Sequence, residues 1–235
     1  KAQDELISKE RLAALGELAA GIAHEIRNPL TSIKILINSL FSELPEKLKQ
    51  AQDVNVINEE IERLNRIITQ FLEFAKPQEL IPEMVHIKNI ITDTVTLVAP
   101  KIKQQNIALS IKCPQGLPHM HGDPSLLKQA FINLILNALQ AMPEGGNLDI
   151  SASRNGSAKS LDMIRIMLKD TGTGIVKENI KKLFTPFFTT KKEGLGLGLS
   201  VTQKIINEHG GKIEIESTVN KGTGVSVFIP VKIKE

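Results

Sequence analysis

The 235-residue sequence contains no tryptophan, no tyrosine and only one cysteine. A single thiol cannot form an internal disulfide, and such sparse use of cysteine fits a reducing compartment. Without tryptophan and tyrosine the chain lacks two of the side chains that stack on exposed bases, and its net charge of +3 is small. These absences argue against a disulfide-stabilised secreted protein and against a nucleic acid as a partner.

The sequence also lacks a run of about 18 apolar residues, the length that a membrane-spanning helix needs. Its charged amino-terminal segment is unlike a signal peptide, and Lys1 in place of methionine is what we expect of a piece of a longer chain. With 41% hydrophobic and 23% charged residues, the composition is typical of a globular protein with one large domain or two small ones. We therefore expect a cytoplasmic location.

Two stripes of apolar residues predict two long helices before Pro77. The steps of three and four residues in the first stripe place its side chains on one helix face: Leu12, Leu15, Ala19, Ile22, Ile26, Leu30, Ile33, Leu36 and Leu40. The second stripe follows Pro45 and has the alternating steps of a coiled coil: Val54, Ile57, Ile61, Leu64, Ile68, Phe71 and Ala75. A lone hairpin cannot bury both stripes, so we predict a homodimer whose two hairpins form a four-helix bundle.

After Pro82 short β-rich runs alternate with helix-like stretches, which predicts a two-layer α/β domain. The predicted strands are Ile107–Ile111, Leu148–Ala152, Met163–Leu168, Lys212–Glu216 and Val225–Val231. The predicted helices lie near Asn89–Val98, Pro124–Met142 and Leu199–His209. The sequence therefore divides into an all-α domain, residues 1–77, and an α/β domain, residues 82–235.

The segment G-I-A-H-E-I-R-N-P-L, from Gly21 to Leu30, places reactive groups on the first predicted helix. At about 100° per residue, His24 lies about 200° from the stripe residues on either side, so it faces away from the buried face. A carboxylate such as Glu25, bonded to one ring nitrogen, makes the other nitrogen a nucleophile. Pro29 costs ~3 kcal/mol inside a helix and favours a local bend. A surface histidine beside an ordinary charge explains this segment equally well.

Two asparagines, Asn133 and Asn137, lie four residues apart in the predicted helix Pro124–Met142. Side chains at this spacing share a helix face, and two neighbouring amides suit a magnesium ion and phosphate oxygens. Two polar residues on an amphipathic helix are also common without any ligand.

Two glycine-containing segments flank a cluster of phenylalanines. In D-T-G-T-G-I, Asp170–Ile175, the carboxylate accepts hydrogen bonds from an exocyclic amino group, and the glycines let a flat ring approach the backbone. In G-L-G-L-G-L-S, Gly194–Ser200, backbone N–H groups at a helix start bind phosphate. We expect the phenylalanines of L-F-T-P-F-F-T-T-K, Leu183–Lys191, to close over a ligand or to dock on the helical domain. A turn and a hydrophobic loop anchor are the plainer explanations.

These motifs together, in this order and after a helical hairpin with His-Glu, resemble the catalytic core of a bacterial sensor histidine kinase of a two-component system. The resemblance covers essentially all 235 residues, and the wording of the motifs is most similar to the nitrogen-regulation-like branch. It implies a dimerisation and phosphotransfer domain followed by an ATP-binding domain of the Bergerat fold. It also implies homodimers, a response-regulator receiver domain as partner, and membrane attachment only through regions absent from this chain.

For the helical domain, the resemblance implies that His24 accepts the phosphoryl group and that Glu25 is its base. Asn28 would position water for dephosphorylation of the partner's phospho-aspartate, which predicts a bifunctional kinase and phosphatase.

For the ATP-binding domain, the resemblance implies that ATP and Mg²⁺ bind together. Asn137 would ligate the metal, Asn133 the phosphates, and Asp170 would read the adenine amino group. The other residues carried over by their motifs are Gly172, Gly174 and Thr223 beside adenine, Lys191, Gly196 and Gly198 at the phosphates, and Phe184, Phe187 and Phe188 on a lid. Two positions depart from the family pattern, because Leu195 replaces a common threonine and Val225 a usual aromatic residue.

Two other classes share this nucleotide fold. One is an ATPase of the gyrase and chaperone type, whose members place a glutamate base four residues before the magnesium asparagine. Here that position is Asn133, whose amide cannot accept a proton from water. The other is a non-catalytic ATP-binding signalling scaffold, which the loss of His24, Asn137 or Asp170 would indicate.

Overall fold

The computed structural model describes residues 28–33, 35–37, 39, 56–57, 59–61, 63–65, 67–69, 79–155, 162–191 and 195–232. The chain divides into two compact units. The first comprises Lys1–Gln78 with Lys191–Leu197, and the second comprises Glu79–Thr190 with Gly198–Glu235. Within the described residues, no helix combines the length and apolar content needed to cross a membrane.

In the first unit, the described residues between 28 and 39 and between 56 and 69 are all helical. Leu30 and Ile68, one from each predicted stripe, pack in a common buried cluster and are 8% and 6% exposed. Ile61 is buried as well. Within a single chain, other stripe positions stay open to solvent: Ile33, Leu36, Ile57 and Leu64 are 45%, 61%, 40% and 37% exposed.

The second unit mixes helices and strands, as the sequence predicts. Labels α1–α4 and β1–β7 refer to this unit. Its elements in chain order are β1 (Glu83–Val85), α1 (Ile87–Gln104), β2 (Ile107–Lys112), β3 (Met120–Gly122), α2 (Pro124–Ala141), β4 (Gly146–Asn155), β5 (Met163–Asp170), α3 (Lys177–Ile180), α4 (Gly198–Glu208), β6 (Lys212–Thr218) and β7 (Gly222–Pro230). A helical amino-terminal region followed by an α/β sandwich confirms the predicted fold class.

The main sheet has five strands in the order β2–β4–β5–β7–β6. Strands β2 and β4 are parallel, and the other neighbours are antiparallel. β1 and β3 form a separate antiparallel pair. Because β5 and β6 run opposite to β7 between them, the ends of β5 and β6 meet the start of β7 at one edge. Asp170, Thr218 and Gly222 lie at this edge.

Alternation along the central strands buries one face of the sheet. Ile164, Ile166 and Leu168 of β5 are at most 3% exposed, and the residues between them are more open. This pattern is expected for a sheet with one face against helices. Phe131, which is 1% exposed, belongs to the apolar face of α2.

Asp123 fixes the start of α2, which matters because this helix carries both predicted amide ligands. Its Oδ1 accepts hydrogen bonds from Ser125 N at 2.9 Å and Leu126 N at 3.1 Å, and Pro124 occupies the first turn. This is the capping arrangement favoured at helix starts. Oδ2 of the same carboxylate accepts from Ile81 N at 3.2 Å. The cap therefore also holds the segment that enters the second unit.

Candidate nucleotide site

Asp170 ends β5 at the sheet edge and is 5% exposed. Its Oδ1 accepts two backbone hydrogen bonds, from Gly172 N at 2.9 Å and from Thr223 N at 3.1 Å. Burial raises the pKa of the Asp170 carboxyl, and these two hydrogen bonds partly oppose that rise. Among the described residues both bonds go to Oδ1, which leaves Oδ2 to accept from an amino group of a ligand.

Gly172 and Gly174 shape the loop that follows Asp170, but they do so by packing against protein. A Cβ at Gly172 would lie 2.6 Å from the carbonyl oxygen of Ala141 at the end of α2. Gly174 has φ +68°, and a Cβ there would meet the carbonyl of Thr218. Only glycine fits both conditions without strain. These backbone contacts are a reason for glycine at both positions that the sequence did not show, and the approach of a flat ring to them stays a prediction.

The β6–β7 turn forms one side of the site; of its residues the resemblance implies a role only for Thr223, and the contact of Asn220 with the loop after Asp170 was not predicted. Asn220 N donates to Thr173 O at 2.8 Å, and Thr223 N donates to Asp170 as described. Thr223 is 8% exposed, and its hydroxyl lies 2.9 Å from that of Ser217. The turn residues carry no strong sequence signal, because Asn and Gly are common in any hairpin turn.

Helix α2 runs between the two ends of the site. Asn133 Nδ2 lies 3.4 Å from Gly198 O, at the first residue of α4, and Thr202 Oγ1 donates to the same carbonyl at 2.8 Å. Eight residues later, Ala141 O accepts from Thr173 N at 3.0 Å in the loop after Asp170. Asn137 is half-buried and lies midway, and residues at steps of four share a helix side. The structure thus brings Asn133, Asn137 and Gly198 together with the Asp170 loop along one helix.

The phenylalanine segment follows α3 as a series of turns. Phe184 and Phe188 are half-buried, whereas Phe187 is 53% exposed and has φ +66°. Such a backbone conformation costs a non-glycine residue on the order of 1–3 kcal/mol, and such residues cluster at functional sites. An exposed aromatic ring on a strained backbone is compatible with the predicted lid or docking role.

The remaining predicted residues lie elsewhere. Lys191 is exposed and Gly196 has φ +68°, and both belong to the first unit. Asn28 is exposed and helical, and its carbonyl accepts from Ser32 Oγ at 3.1 Å. His24 and Glu25 lie outside the described residues, so their roles stay predictions.

Two families match the chain in separate parts. Residues 14–80 match the His Kinase A (phospho-acceptor) domain. Residues 122–233 match the histidine kinase-, DNA gyrase B- and HSP90-like ATPase family. The second match contains α2, the Asp170 loop and the β6–β7 turn, which together form the candidate nucleotide site.

A curated relative with similar sequence is the sensor histidine kinase ZraS of Escherichia coli. It is 39% identical over 231 residues, which are 98% of this chain and 49% of the relative. The chain thus spans about half the length of ZraS.

Solved structures of another kinase extend the match. The catalytic domain of histidine kinase ThkA is 33% identical with a TM-score of 0.57, over 66% of this chain and 97% of that one. ThkA in complex with response regulator protein TrrA is 33% identical with a TM-score of 0.70, over 98% of this chain and 66% of that one. With both family matches in the order that the motifs predict, the chain belongs to the sensor histidine kinases and contains their catalytic core.

Proposed function

We propose that this chain is an ATP-dependent protein histidine kinase. It binds ATP in the second unit, transfers the γ-phosphoryl group to His24, and passes it to an aspartate of a response-regulator receiver domain. The observation that carries the proposal is the buried Asp170 carboxylate, oriented by two backbone N–H groups, in a loop that contacts the carboxyl end of α2. In the middle of the same helix, Asn133 contacts the glycine-rich start of α4. This arrangement suits an amino-bearing base at one end and phosphates at the other.

The roles in nucleotide binding follow from this placement. Asp170 accepts a hydrogen bond from the adenine amino group, and Thr223 binds beside it. Asn133 contacts the phosphates together with Gly198, where the backbone N–H groups and the dipole at the start of α4 favour negative charge. Lys191 and Gly196 are proposed phosphate ligands on the strength of their motif alone.

The donor set fits Mg²⁺. This ion prefers oxygen ligands, keeps several waters, and is usually held by one or two protein groups together with substrate phosphates. The half-buried Asn137 offers one amide oxygen beside the proposed phosphate contacts of Asn133. When bound, the metal neutralises charge on the phosphate oxygens.

The chemical step is an in-line displacement at the γ-phosphorus. A bond forms between a ring nitrogen of His24 and phosphorus, the bond to the β–γ bridging oxygen breaks, and ADP leaves with that electron pair. Glu25 accepts the imidazole proton. In the second step a carboxylate oxygen of the receiver domain attacks the phosphorus of the phosphohistidine, the nitrogen–phosphorus bond breaks, and the imidazole regains its proton from Glu25 as the acyl phosphate forms.

Asn133 argues against the hydrolase alternative. An amide cannot accept a proton from water, so Asn133 cannot serve as a general base for hydrolysis. The γ-phosphoryl group therefore persists until a nitrogen nucleophile takes it.

The proposed partners follow from the first unit and from a relative. The exposed stripe positions Ile33, Leu36, Ile57 and Leu64 form apolar surface that a second hairpin would cover, which supports a homodimer. The division of the chain between Gln78 and Glu79 supports the proposed domain limits at 1–77 and 82–235. The receiver domain is proposed because ThkA, 33% identical, was solved with response regulator TrrA. The exposed Asn28 supports an additional phosphatase activity towards the phosphorylated regulator.

The test is autophosphorylation with γ-labelled ATP. We expect a labelled protein whose label is acid-labile and alkali-stable, as phosphohistidine is. His24→Gln should bind ATP normally and incorporate none, while His119→Gln, at an exposed histidine of the second unit, should label like the parent. Label that survives in His24→Gln would place the acceptor elsewhere, and steady phosphate release without labelled protein would favour the hydrolase.

A further inference from the structure

Ser217, in β6 near the candidate nucleotide site, joins the loop after Asp170 to the start of β7. Its half-buried hydroxyl oxygen accepts from Ile175 N at 2.8 Å and lies 3.0 Å from Gly222 O. It also lies 2.9 Å from Thr223 Oγ1. No motif that predicts the nucleotide site includes this serine.

The directions of these hydrogen bonds follow from simple counting. A hydroxyl has one proton and two lone pairs. The Gly222 carbonyl only accepts, so the proton of Ser217 goes to it. Ser217 therefore accepts in its other two contacts, and the donors are Ile175 N and Thr223 Oγ1. The Thr223 proton points at Ser217, away from the site.

This fixes Thr223 as an acceptor towards any ligand. With its proton bound by Ser217, its hydroxyl presents only lone pairs. The neighbouring Asp170 carboxylate, bonded to Thr223 N at 3.1 Å, also presents only lone pairs. Two adjacent acceptors suit the two N–H groups of an exocyclic amine, directly or through water, and repel a carbonyl oxygen.

We propose that Ser217 is a specificity-determining positioning residue: by holding the Thr223 proton, it makes the base-binding edge accept only, and so selects a purine with a 6-amino group over one with a 6-oxo group. The inference rests on the proposed function, since it assumes that a purine nucleotide occupies this site. Without Ser217 the Thr223 hydroxyl rotates and donates to a carbonyl, while Asp170 still disfavours it.

The experiment compares ADP with inosine diphosphate, which differs in carrying a 6-oxo group. Dissociation constants are measured by titration calorimetry with Mg²⁺ on the full chain. Loss of the serine also leaves Ile175 N unpaired, so Ser217→Ala should weaken ADP binding in any case. The decisive quantity is therefore the preference for ADP over inosine diphosphate, which we expect to fall by on the order of tenfold.

Three further variants complete the test. Ser217→Thr retains a hydroxyl and should restore most of the preference. Ser226→Ala removes a half-buried hydroxyl of β7 that bonds Arg165 instead, and should leave the preference unchanged. In a Thr223→Val background, Ser217→Ala should alter the preference no further, because the group on which it acts is gone.

The outcomes are separable. If Ser217→Ala weakens both nucleotides equally, the serine is merely structural and this inference is overturned, although the kinase proposal stands. If the parent protein binds ADP no better than inosine diphosphate, Thr223 and Asp170 do not present only hydrogen-bond acceptors to the base, and this inference is overturned. If the parent binds neither nucleotide, the proposed function itself fails.

Discussion

The imidazole of His209, at the end of α4, accepts a hydrogen bond at Nε2 from the backbone N–H of Asp123, 86 residues earlier, at 2.9 Å. Its other nitrogen, Nδ1, lies 2.8 Å from Ile205 O and donates to it. The ring is fully buried, so both nitrogens are satisfied by protein alone. Helices α2 and α4 are thereby connected at two places, by His209 at the start of α2 and by the contact of Asn133, in the middle of α2, with Gly198.

Two substitutions at His209 can test its two hydrogen bonds one at a time. Asparagine can still donate to Ile205 O but does not reach Asp123 N, whereas the longer glutamine places an oxygen near the Nε2 position. An unsatisfied buried N–H costs about 1–3 kcal/mol, so we expect His209→Asn to lose about that much and His209→Gln clearly less. Urea unfolding followed by circular dichroism measures both, with the exposed His121→Asn as control. Equal losses in the two His209 variants would contradict the assignment.

Asp170 should lower the stability of the nucleotide-free protein and strengthen the binding of the nucleotide. Its pKa is raised from the ordinary value of 3.8, with burial as the largest cause. The folded protein thus holds this proton more tightly than the unfolded chain, and this group's contribution to stability falls as the pH rises from 3.8 through the raised pKa. Asp170→Asn removes the ionisation but keeps an acceptor for the two backbone N–H groups. We expect the nucleotide-free variant to be more stable than the parent at neutral pH, with the difference closing in acid.

The same Asp170→Asn variant should bind ADP on the order of 100-fold more weakly, because an amide nitrogen can take the place of the acceptor that faces the base. Calorimetric titration measures the affinity for ADP, and thermal melts with and without ADP measure the stability. A variant that is less stable without nucleotide at neutral pH would contradict the pKa argument, and retained ADP affinity would contradict the role of Asp170.

Asn28 should separate the two proposed activities. The residue is exposed on the first helical segment. If the helix predicted from the sequence includes His24, a rise of 1.5 Å per residue separates the two residues by about 6 Å. We expect Asn28→Ala to keep autophosphorylation within about twofold and to lose at least tenfold in dephosphorylation of the phosphorylated regulator. Ser32→Ala, one turn further on, is the control. If Asn28→Ala lost autophosphorylation and dephosphorylation to the same extent, Asn28 would not have the proposed role in dephosphorylation.

Replacing Phe187 with glycine should raise the stability of the protein but slow its autophosphorylation. Glycine adopts φ +66° freely, so Phe187→Gly should raise the free energy of unfolding by about 1 kcal/mol. Alanine also removes the ring but keeps the strained conformation, so Phe187→Ala should bring no such gain. Both variants should autophosphorylate several-fold more slowly if the exposed ring closes over ATP or docks on the helical domain. Unchanged autophosphorylation rates in both variants would show that the Phe187 ring has neither of the two proposed roles.

The sequence predicts the long elements well because their periodicity is extended. Helix α2 spans five turns, and its apolar spacing shows both its extent and the outward position of Asn133 and Asn137. Strands β1 and β3, with three residues each, and the four-residue α3 are too short for any period to be visible. The sequence therefore predicts the order of helices and strands but not these short pieces.

The candidate site is predicted less completely, because its contacts join distant positions. Asp170 is visible in its motif, but Ser217 is 42 residues from its partner Ile175. The role of His209 is also not visible in the sequence, because only the tertiary structure brings its ring next to the backbone N–H of Asp123. For Gly172 the structure shows a requirement for glycine that the sequence does not reveal, because a Cβ there would lie 2.6 Å from the carbonyl oxygen of Ala141.

Because Gly172 and Gly174 pack against Ala141 and Thr218, the loop proposed to bind the base takes its shape when the chain folds and not when a nucleotide arrives. Little conformational entropy is then left to lose on association at this end of the site. The adenine moiety should therefore be captured at a rate governed by diffusion and access, so that any slow rearrangement during turnover belongs to the phosphate end.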